Sequence, residues 1–174
     1  MTLSGTRVLL FAAPMFEDLE LLYPLHRLRE EGADVVVAGL GEREYTGKNG
    51  HPVEVDTDVE QVSAREFDAV IIPGGYAPDH LRRSENVLEI VREAHEEEKP
   101  VAFICHAGWV PISAGIVKGR RVTSVGAIRD DLVNAGAEWV DQEVVVDGNL
   151  ISSRRPPDLG AFCRAIIEAL ALPR

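Results

Sequence analysis

A cysteine and a histidine, Cys105 and His106, stand together where an apolar run gives way to a helical pattern. The run is Val101–Ile104, and a side chain at such a strand-to-helix turn can be held outward in a strained conformation, as enzymatic nucleophiles often are. Free N–H groups and the positive dipole end of a following helix stabilise a thiolate, which predicts a lowered pKa for Cys105. The same residue also fits a buried structural cysteine, because free cysteine is among the most buried residue types. From these residues alone, both interpretations stay open.

Three further positions offer groups that could assist a reactive thiol. His106 could orient or deprotonate it, and its backbone N–H together with that of Gly75 could bind an oxyanion. Both have simpler interpretations, since histidines often lie at the surface or cap a helix, and Gly74-Gly75 is a common turn pair. Glu17 begins a helix, where carboxylates are common because of the helix dipole. If Glu17 instead lies beside Cys105 in an apolar crevice, we expect it to be at least partly protonated and able to donate a hydrogen bond to the sulfur.

The elements that must position these residues follow from the apolar pattern. Short unbroken apolar runs alternate with helical patterns, which is typical of an α/β protein with a doubly wound, mostly parallel sheet and helices on both faces. The predicted buried strands are TRVLLFAA, DVVVAG, FDAVIIPGG and VAFIC. In such sheets a site forms beyond the carboxyl ends of the strands. We therefore expect Glu17, Gly74, Gly75, Cys105 and His106, which lie at or just after the ends of predicted strands, at one crevice.

Other segments add detail to this alternation. The turn pair Asn49-Gly50 lies between two short alternating segments and predicts a small β-hairpin inserted at the sheet edge. Pro24, inside the first helical pattern, predicts a kink or a local break. The segment HAGWVPISAGIVKG, residues 106–119, has the pattern of one helix, and RRVTSV that of a further strand.

Composition limits the class of protein. The chain has 174 residues, of which 45% are apolar, so we expect one globular domain over residues 1–174. A formal net charge of −11 argues against nucleic-acid binding and against anionic membrane surfaces. Cys105 and Cys163 lie in no CxxC or Cys/His cluster, so we expect neither a metal site nor a disulfide framework. The apolar run Val8–Ala13 is too short to cross a bilayer, and we expect a cytoplasmic protein.

Four segments together cover nearly the whole chain in an order that matches a known family. They are FEDLELLYPLHRLREEGADV, IIPGGYAPD, AFICHAGWVPISAGIVKGRRVTS and IRDDLVNAGAEWVDQEVVVDGNLISSRRPPDL. They resemble the PfpI-type intracellular protease family, in the class I glutamine amidotransferase-like superfamily of the human parkinsonism-associated deglycase. The resemblance implies a flavodoxin-like fold, no cofactor, and a homo-oligomer that is a dimer or a hexameric ring. It also implies Cys105 as the nucleophile, Glu17 as its carboxylic neighbour, and Gly75 with the His106 backbone as the oxyanion site, next to Gly74.

Two positions depart from the pattern of that family. Its ring-forming members carry a glutamate after Gly-Gly-Arg-Ala-Pro that contacts the catalytic histidine of a neighbouring subunit, and here Asp79 follows GGYAP. The family's Cys-His-Gly-Pro is replaced by CHAGW at residues 105–109. The resemblance therefore implies Asp79 as the acid of a triad closed across subunits. It also places Trp109 near the mouth of the crevice, where its ring would narrow substrate access.

Three functions are compatible with the resemblance. The first is cofactor-free glyoxalase or deglycase chemistry in a stress response, through a hemithioacetal on Cys105. The second is a cysteine peptidase completed at an oligomer interface. The third is a non-enzymatic oxidative-stress sensor in which Cys105 oxidises to sulfenic or sulfinic acid. We expect the first, with a 2-oxoaldehyde, another small reactive carbonyl compound or a glycated group as the substrate.

Overall fold

The computed structural model describes residues 2–172, which form an α/β fold around one central sheet. The strands are β1 (Arg7–Phe11), β2 (Asp34–Gly39), β3 (Glu44–Thr46), β4 (Pro52–Glu54), β5 (Thr57–Asp58), β6 (Ala69–Ile72), β7 (Val101–Ile104), β8 (Arg121–Val122), β9 (Glu138–Trp139), β10 (Val144–Asp147) and β11 (Leu150–Ser153). The α-helices are α1 (Asp18–Glu30), α2 (Ala77–Leu81), α3 (Glu85–Glu96), α4 (Trp109–Ala114), α5 (Arg129–Asn134) and α6 (Leu159–Ala171).

Seven strands build the central sheet, in the spatial order β10-β11-β7-β6-β1-β2-β5. Neighbouring strands are parallel except for β10 and β11, which pair antiparallel. The inner strands β6 and β7 are buried along their whole length, because helices cover both faces of the sheet. The predicted flavodoxin-like, doubly wound and mostly parallel sheet is therefore confirmed.

Helices cover the sheet in two groups, in which α1 packs against α6 and α3 packs against α4. Helix α3 begins at Ser84, whose hydroxyl accepts a hydrogen bond from the Val87 N–H, and it packs an apolar stripe over β6 and β7. Of the kink or local break predicted at Pro24, the break is wrong. Helix α1 is continuous, because Pro24 lies on its buried face and tertiary packing maintains the turn that lacks one N–H. Within the described residues, none of the helices has the length and apolar character that crossing a membrane requires.

The hairpin predicted around Asn49-Gly50 is present and consists of β3 and β4. It forms a separate two-stranded sheet and does not extend the central one, whose edge strand is β5. Its turn is fastened to the start of α1 by Asp18, whose carboxylate accepts hydrogen bonds of 2.9 Å from the N–H groups of Asn49 and His51. Burial raises the pKa of Asp18, but these donors outweigh it and hold the pKa below its ordinary value.

The second half of the chain departs from the predicted elements. The helix expected over 106–119 is a 3-10 turn, Cys105–Gly108, followed by α4, which ends where Gly115 adopts a left-handed φ of 77°. The strand expected in RRVTSV is only β8, which pairs with β9 outside the central sheet. Helices α2 and α5 were not predicted, because elements of five or six residues carry little periodic signal.

The anchoring of the hairpin turn can be tested with Asp18→Ala. We expect a loss of about 1–3 kcal/mol in the free energy of unfolding, because two N–H groups lose a charged acceptor. Asp34→Ala is the matched control, since Asp34 pairs with Arg7 at the surface and its removal should change stability by less than about 1 kcal/mol. Urea denaturation measures both, and amide exchange at Asn49 should accelerate only in the Asp18 variant. Equal losses in the two variants would contradict the anchoring.

Candidate functional site

The sharp turn after β7 places Cys105 at the wall of a cavity. Its φ of +63° lies in the left-handed region, which costs a residue with a Cβ about 1–2 kcal/mol. Only Met15 and Glu98 share this conformation among the non-glycine residues that the structure describes. The fully buried Ile104 and Ala107 fix the turn on either side. The left-handed residue of the turn is Cys105, so Ala107, which replaces the family's glycine, keeps an ordinary backbone and its Cβ adds no strain of this kind.

The cavity has a volume of about 330 Å³ and opens beyond the carboxyl ends of β1, β6 and β7. It brings together the predicted residues Glu17, Gly75, Cys105, His106 and Trp109. The complete lining is Glu17, Glu20, Lys48, Gly75, Tyr76, Cys105, His106, Trp109, Val125, Arg155 and Pro156. Gly74 lies buried behind it, so close to the turn that a Cβ on Gly74 would lie 2.7 Å from the Cβ of Cys105.

The carboxyl group that acts on the thiol belongs to Glu20, which the sequence analysis did not select. Glu20 is fully buried, and its Oε2 accepts a hydrogen bond of 2.9 Å from the Gly74 N–H. Its Oε1 is buried with no hydrogen-bond partner among residues 2–172. Burial, followed by the nearby charge of Glu17, raises the pKa of Glu20 to about 8. The carboxyl is therefore mostly neutral at pH 7 and can donate a hydrogen bond.

Glu17 has a different role from the one expected. It caps α1, with its Oε2 accepting a hydrogen bond of 2.9 Å from the Glu20 N–H, and it also lines the cavity. Glu20, and not Glu17, is the carboxyl whose charge acts on Cys105. Helical spacing could have found it, because Glu20 shares the buried stripe of α1 with Pro24 and Leu28, each four residues further on. A carboxyl group in a buried stripe is rare unless it has a specific partner.

The lowered pKa predicted for Cys105 is wrong. Burial, and then the charge that Glu20 carries once it has lost its proton, raise the pKa of Cys105 to about 12, although the N–H groups of His106 and Gly75 lower it. Helix α4 begins only at Trp109, so the N-terminus whose dipole was expected to lower the pKa is separated from Cys105 by the 3-10 turn. The resting side chain is therefore a thiol, and a nucleophile requires removal of its proton.

His106 is placed to remove that proton. Its Nδ1 lies 3.3 Å from the Cys105 Sγ, because the left-handed turn directs the two adjacent side chains towards each other. Burial and then the charge of Lys48 lower the pKa of His106, so the imidazole is neutral at pH 7. Trp109 packs edge-on against it at 5.4 Å between ring centres, and the indole is held by a 2.8 Å hydrogen bond from Nε1 to Asp131. Trp109 thus supports the histidine as well as lining the cavity.

Asp79 lies outside the cavity within this chain. It is an exposed residue of α2, and its carboxylate pairs with Arg83 at 3.2 Å. The contact expected for it involves the histidine of a neighbouring subunit and stays a prediction.

Known proteins resemble this chain over nearly its whole length. Residues 6–169 match the sequence profile described as the DJ-1/PfpI family. The chain belongs to the DJ-1/PfpI family. It is 50% identical over 164 residues to Deglycase PfpI of Pyrococcus furiosus, and the match covers 94% of this chain and 99% of that protein. The family resemblance seen in the sequence is confirmed.

Solved structures of this family share the architecture. A two-domain protein of Anabaena variabilis, with DJ-1/ThiJ/PfpI-like and ferritin-like domains, matches with a TM-score of 0.93 at 41% identity. That match covers 98% of this chain and 50% of the Anabaena chain, so our chain spans half of that protein. Drosophila melanogaster DJ-1beta matches with a TM-score of 0.90 at 32% identity, covering 95% of this chain and 90% of its own.

The Gly74-Gly75 turn, which packs against the turn at Cys105, predicts unequal effects of two alanine substitutions. Gly75 and Gly115 have nearly the same φ, +76° and +77°, so alanine meets the same left-handed cost of about 1 kcal/mol at both. A Cβ on Gly75 would overlap the backbone of Glu17 and lie 2.6 Å from the Met15 carbonyl oxygen, whereas nothing lies within 4 Å at Gly115. Urea denaturation should show a loss of about 1 kcal/mol for Gly115→Ala and about 3 kcal/mol or more for Gly75→Ala. Similar losses would refute the close packing.

The raised pKa of Glu20 should be visible in the pH dependence of stability. Folded Glu20 keeps its proton up to about pH 8, whereas the unfolded chain loses it near the ordinary value of 4.5. Between these values the unfolded state binds fewer protons, so this group makes stability fall as pH rises, by up to about 1.4 kcal/mol per pH unit.

Glu20→Gln should remove this slope while keeping the shape of the side chain. Urea denaturation of both proteins between about pH 5 and pH 8 gives the slope of the unfolding free energy with pH, and the difference between the two slopes is the contribution of Glu20. The lowered pKa values of His95 and His106 act in the opposite direction, but they are present in both proteins and largely cancel. Identical slopes would mean that Glu20 titrates as an ordinary carboxyl.

Proposed function

We propose that this chain is a cysteine-dependent enzyme of the deglycase and glyoxalase type, acting without a cofactor on 2-oxoaldehydes or on groups that they have glycated. The observation that carries the proposal is the meeting of three groups in one cavity. These are the left-handed Cys105, the neutral His106 imidazole 3.3 Å from its sulfur, and the buried, neutral carboxyl of Glu20. The name deglycase carried by a relative of 50% identity supports the same class of substrate.

The reaction begins with attack of the sulfur on the aldehyde carbon. Because the resting group is a thiol, its proton leaves as the S–C bond forms, and Nδ1 of His106 accepts it. The aldehyde oxygen gains negative charge and then a proton, which gives a hemithioacetal. The N–H groups of Gly75 and His106, which already lower the pKa of the sulfur, are the donors available to the developing negative charge. With the hemiaminal that an amine forms with the aldehyde, the sulfur displaces the amine from the same carbon, the proton that His106 accepted passes to the leaving nitrogen, and the same hemithioacetal results.

The hemithioacetal becomes a thioester by two proton transfers. Removal of the proton on the former aldehyde carbon gives an enediol, and a proton then adds to the neighbouring carbon. His106 moves these protons, while Oε1 of Glu20, which has no partner among the described residues, donates to an enediol oxygen. Water then cleaves the thioester, releasing the 2-hydroxyacid and restoring the thiol. One carbon is oxidised and its neighbour reduced, so no external oxidant is required.

The two alternative functions have weaker support. A peptidase needs the acid of its triad, and Asp79 is exposed and paired with Arg83 within the chain. A redox sensor needs an exposed thiolate, whereas Cys105 is 9% exposed and its pKa is raised. A homodimer or hexamer is part of the proposal through the family resemblance, and sedimentation velocity would separate the two.

Cys105→Ala should lower the conversion of methylglyoxal to lactate by at least about 100-fold, because no other nucleophile replaces the sulfur. Cys163→Ala is the matched control, since Cys163 is buried in α6 away from the cavity, and we expect it to keep turnover. Loss of the aldehyde and appearance of lactate should be followed together. Absence of turnover in the wild type, or turnover retained in the Cys105 variant, would disprove the proposal.

The isotope content of the product tests the enediol. In D₂O, lactate should carry deuterium on C2, because an exchangeable group supplies that hydrogen. Lactate with only its original hydrogen there would indicate a hydride shift and exclude the enediol. Deglycase action is tested separately with a preformed adduct of methylglyoxal and an amine, whose release must exceed the spontaneous rate of dissociation.

A further inference from the structure

Two cations line the cavity without a carboxylate partner. Lys48 and Arg155 belong to the lining, and within residues 2–172 neither side chain forms an ion pair or a hydrogen bond. The adjacent Arg154 is different, because it is held by Asp141 and Asp158 at 2.8 Å each. Both residues are exposed, so their charges are accessible to a ligand that enters the cavity.

The backbone of Lys48 is fixed against the start of α1. Its N–H donates to the carbonyl of Phe16 at 2.9 Å, and the next N–H, of Asn49, donates to Asp18. Gly47 leaves no room for a side chain, since a Cβ there would lie 2.5 Å from the Asp18 carboxylate. The hairpin turn is therefore closely packed, and Lys48 lines the cavity from a fixed base.

Arg155 lines the cavity from a second fixed segment. It lies between the ion-paired Arg154 and Pro156, and its carbonyl accepts a hydrogen bond of 2.9 Å from the Asp158 N–H. Its backbone is extended, with a φ of −159°. The guanidinium is the free part of the residue and offers two parallel donors to a carboxylate or phosphate.

The charge of Lys48 acts on the reacting groups themselves. It lowers the pKa of both Glu20 and His106, so it lies within electrostatic range of both. At pH 7 the side chains of Glu20, Cys105 and His106 are all mostly neutral. Glu17 also lines the cavity, but its carboxylate caps α1 and forms no ion pair with Lys48 or Arg155 among residues 2–172. An anion brought in by a substrate would compensate them.

We propose that Lys48 and Arg155 form an anion subsite, and that the preferred substrates carry a carboxylate or phosphate group a few bonds from the carbonyl that Cys105 attacks. The nature of the reaction rests on the proposed function above, but binding of the anion does not. The two can therefore be tested apart.

The first test compares alkylation of Cys105 by iodoacetate, an anion, and by iodoacetamide, its neutral analogue. In both reactions an S–C bond forms, iodide leaves and the thiol proton is released, so the ratio of the two rates isolates the effect of the carboxylate. Mass spectrometry of the Cys105 peptide gives both rates. We expect a higher ratio than for a free thiol peptide, falling about threefold in Lys48→Met or Arg155→Met and about tenfold in the double variant.

Lys118→Met is the matched control, because Lys118 is an exposed lysine outside the cavity and its loss changes the net charge equally. Its ratio should equal that of the wild type, and added salt should lower the wild-type ratio towards that of the double variant. A wild-type ratio equal to that of the free thiol, or unchanged in the double variant, would overturn the carboxylate subsite.

Inorganic phosphate separates the two anion classes. Protection of Cys105 from iodoacetamide by phosphate, weakened in the double variant, would assign phosphate-bearing substrates to the site. A preference for iodoacetate without such protection would assign carboxylates. If neither effect is observed, the proposed anion subsite does not exist.

Turnover gives the final comparison, between 4,5-dioxopentanoate and its methyl ester, which differ in the charge of the tail and by one methyl group. We expect a higher kcat/KM for the acid, with the difference reduced about tenfold in the double variant, mainly through KM. Selective alkylation without turnover would leave the anion subsite in place and refute the proposed function. Turnover without selectivity for the acid or for iodoacetate would support the proposed function and refute the anion subsite.

Discussion

The close contact between the Gly74-Gly75 turn and the left-handed backbone of Cys105 sets the geometry on which the site depends. A Cβ on Gly74 would meet Cys105 and overlap the carboxyl of Glu20, and Gly75 pairs with Phe16 in an isolated bridge. The chain segments after β1, β6 and β7 therefore meet backbone to backbone. The thiol, the carboxyl and the imidazole are positioned by that contact more than by their own flexibility.

Burial then decides the charge of each group. The carboxyl of Glu20 and the thiol of Cys105 keep their protons at pH 7, and His106 stays without one. In the proposed reaction, charge develops only when substrate is present, and the N–H groups of Gly75 and His106 already lie beside the sulfur that attacks it. Donors that are fixed in advance need not reorganise when the charge forms. This preorganisation is the main source of transition-state stabilisation in such sites.

The sheet was predictable because short unbroken apolar runs, such as Ala69–Ile72 and Val101–Ile104, are typical of buried parallel strands. The position of Cys105 at the end of such a run placed it in the crevice for the same reason. Its ionisation was not predictable, because the pKa depends on burial and on a carboxyl 85 residues away in sequence.

Glu20 was missed because Glu17, at the start of the helix, was chosen as the carboxyl neighbour of the cysteine. Glu20 is identified only when the helical spacing of the buried stripe of α1 is examined. Lys48 was missed because its place depends on how Asp18 holds a loop that no local pattern relates to α1. In both cases the deciding contact joins segments that are distant in sequence or belong to different elements.

The hairpin turn has a consequence for how such a protein can diverge. It forms a sheet of its own, outside the central one. It is joined to the segment around the start of α1 by the carboxylate of Asp18 and by backbone hydrogen bonds to Met15 and Phe16, and it lines the cavity with Lys48. Changes in its length or in the residue at its tip would leave the thiol, its acid and its base in place. Selectivity and reactivity are thus carried by separable parts of the chain, and a lineage could acquire new substrates by replacing a short insertion while its reaction stays the same.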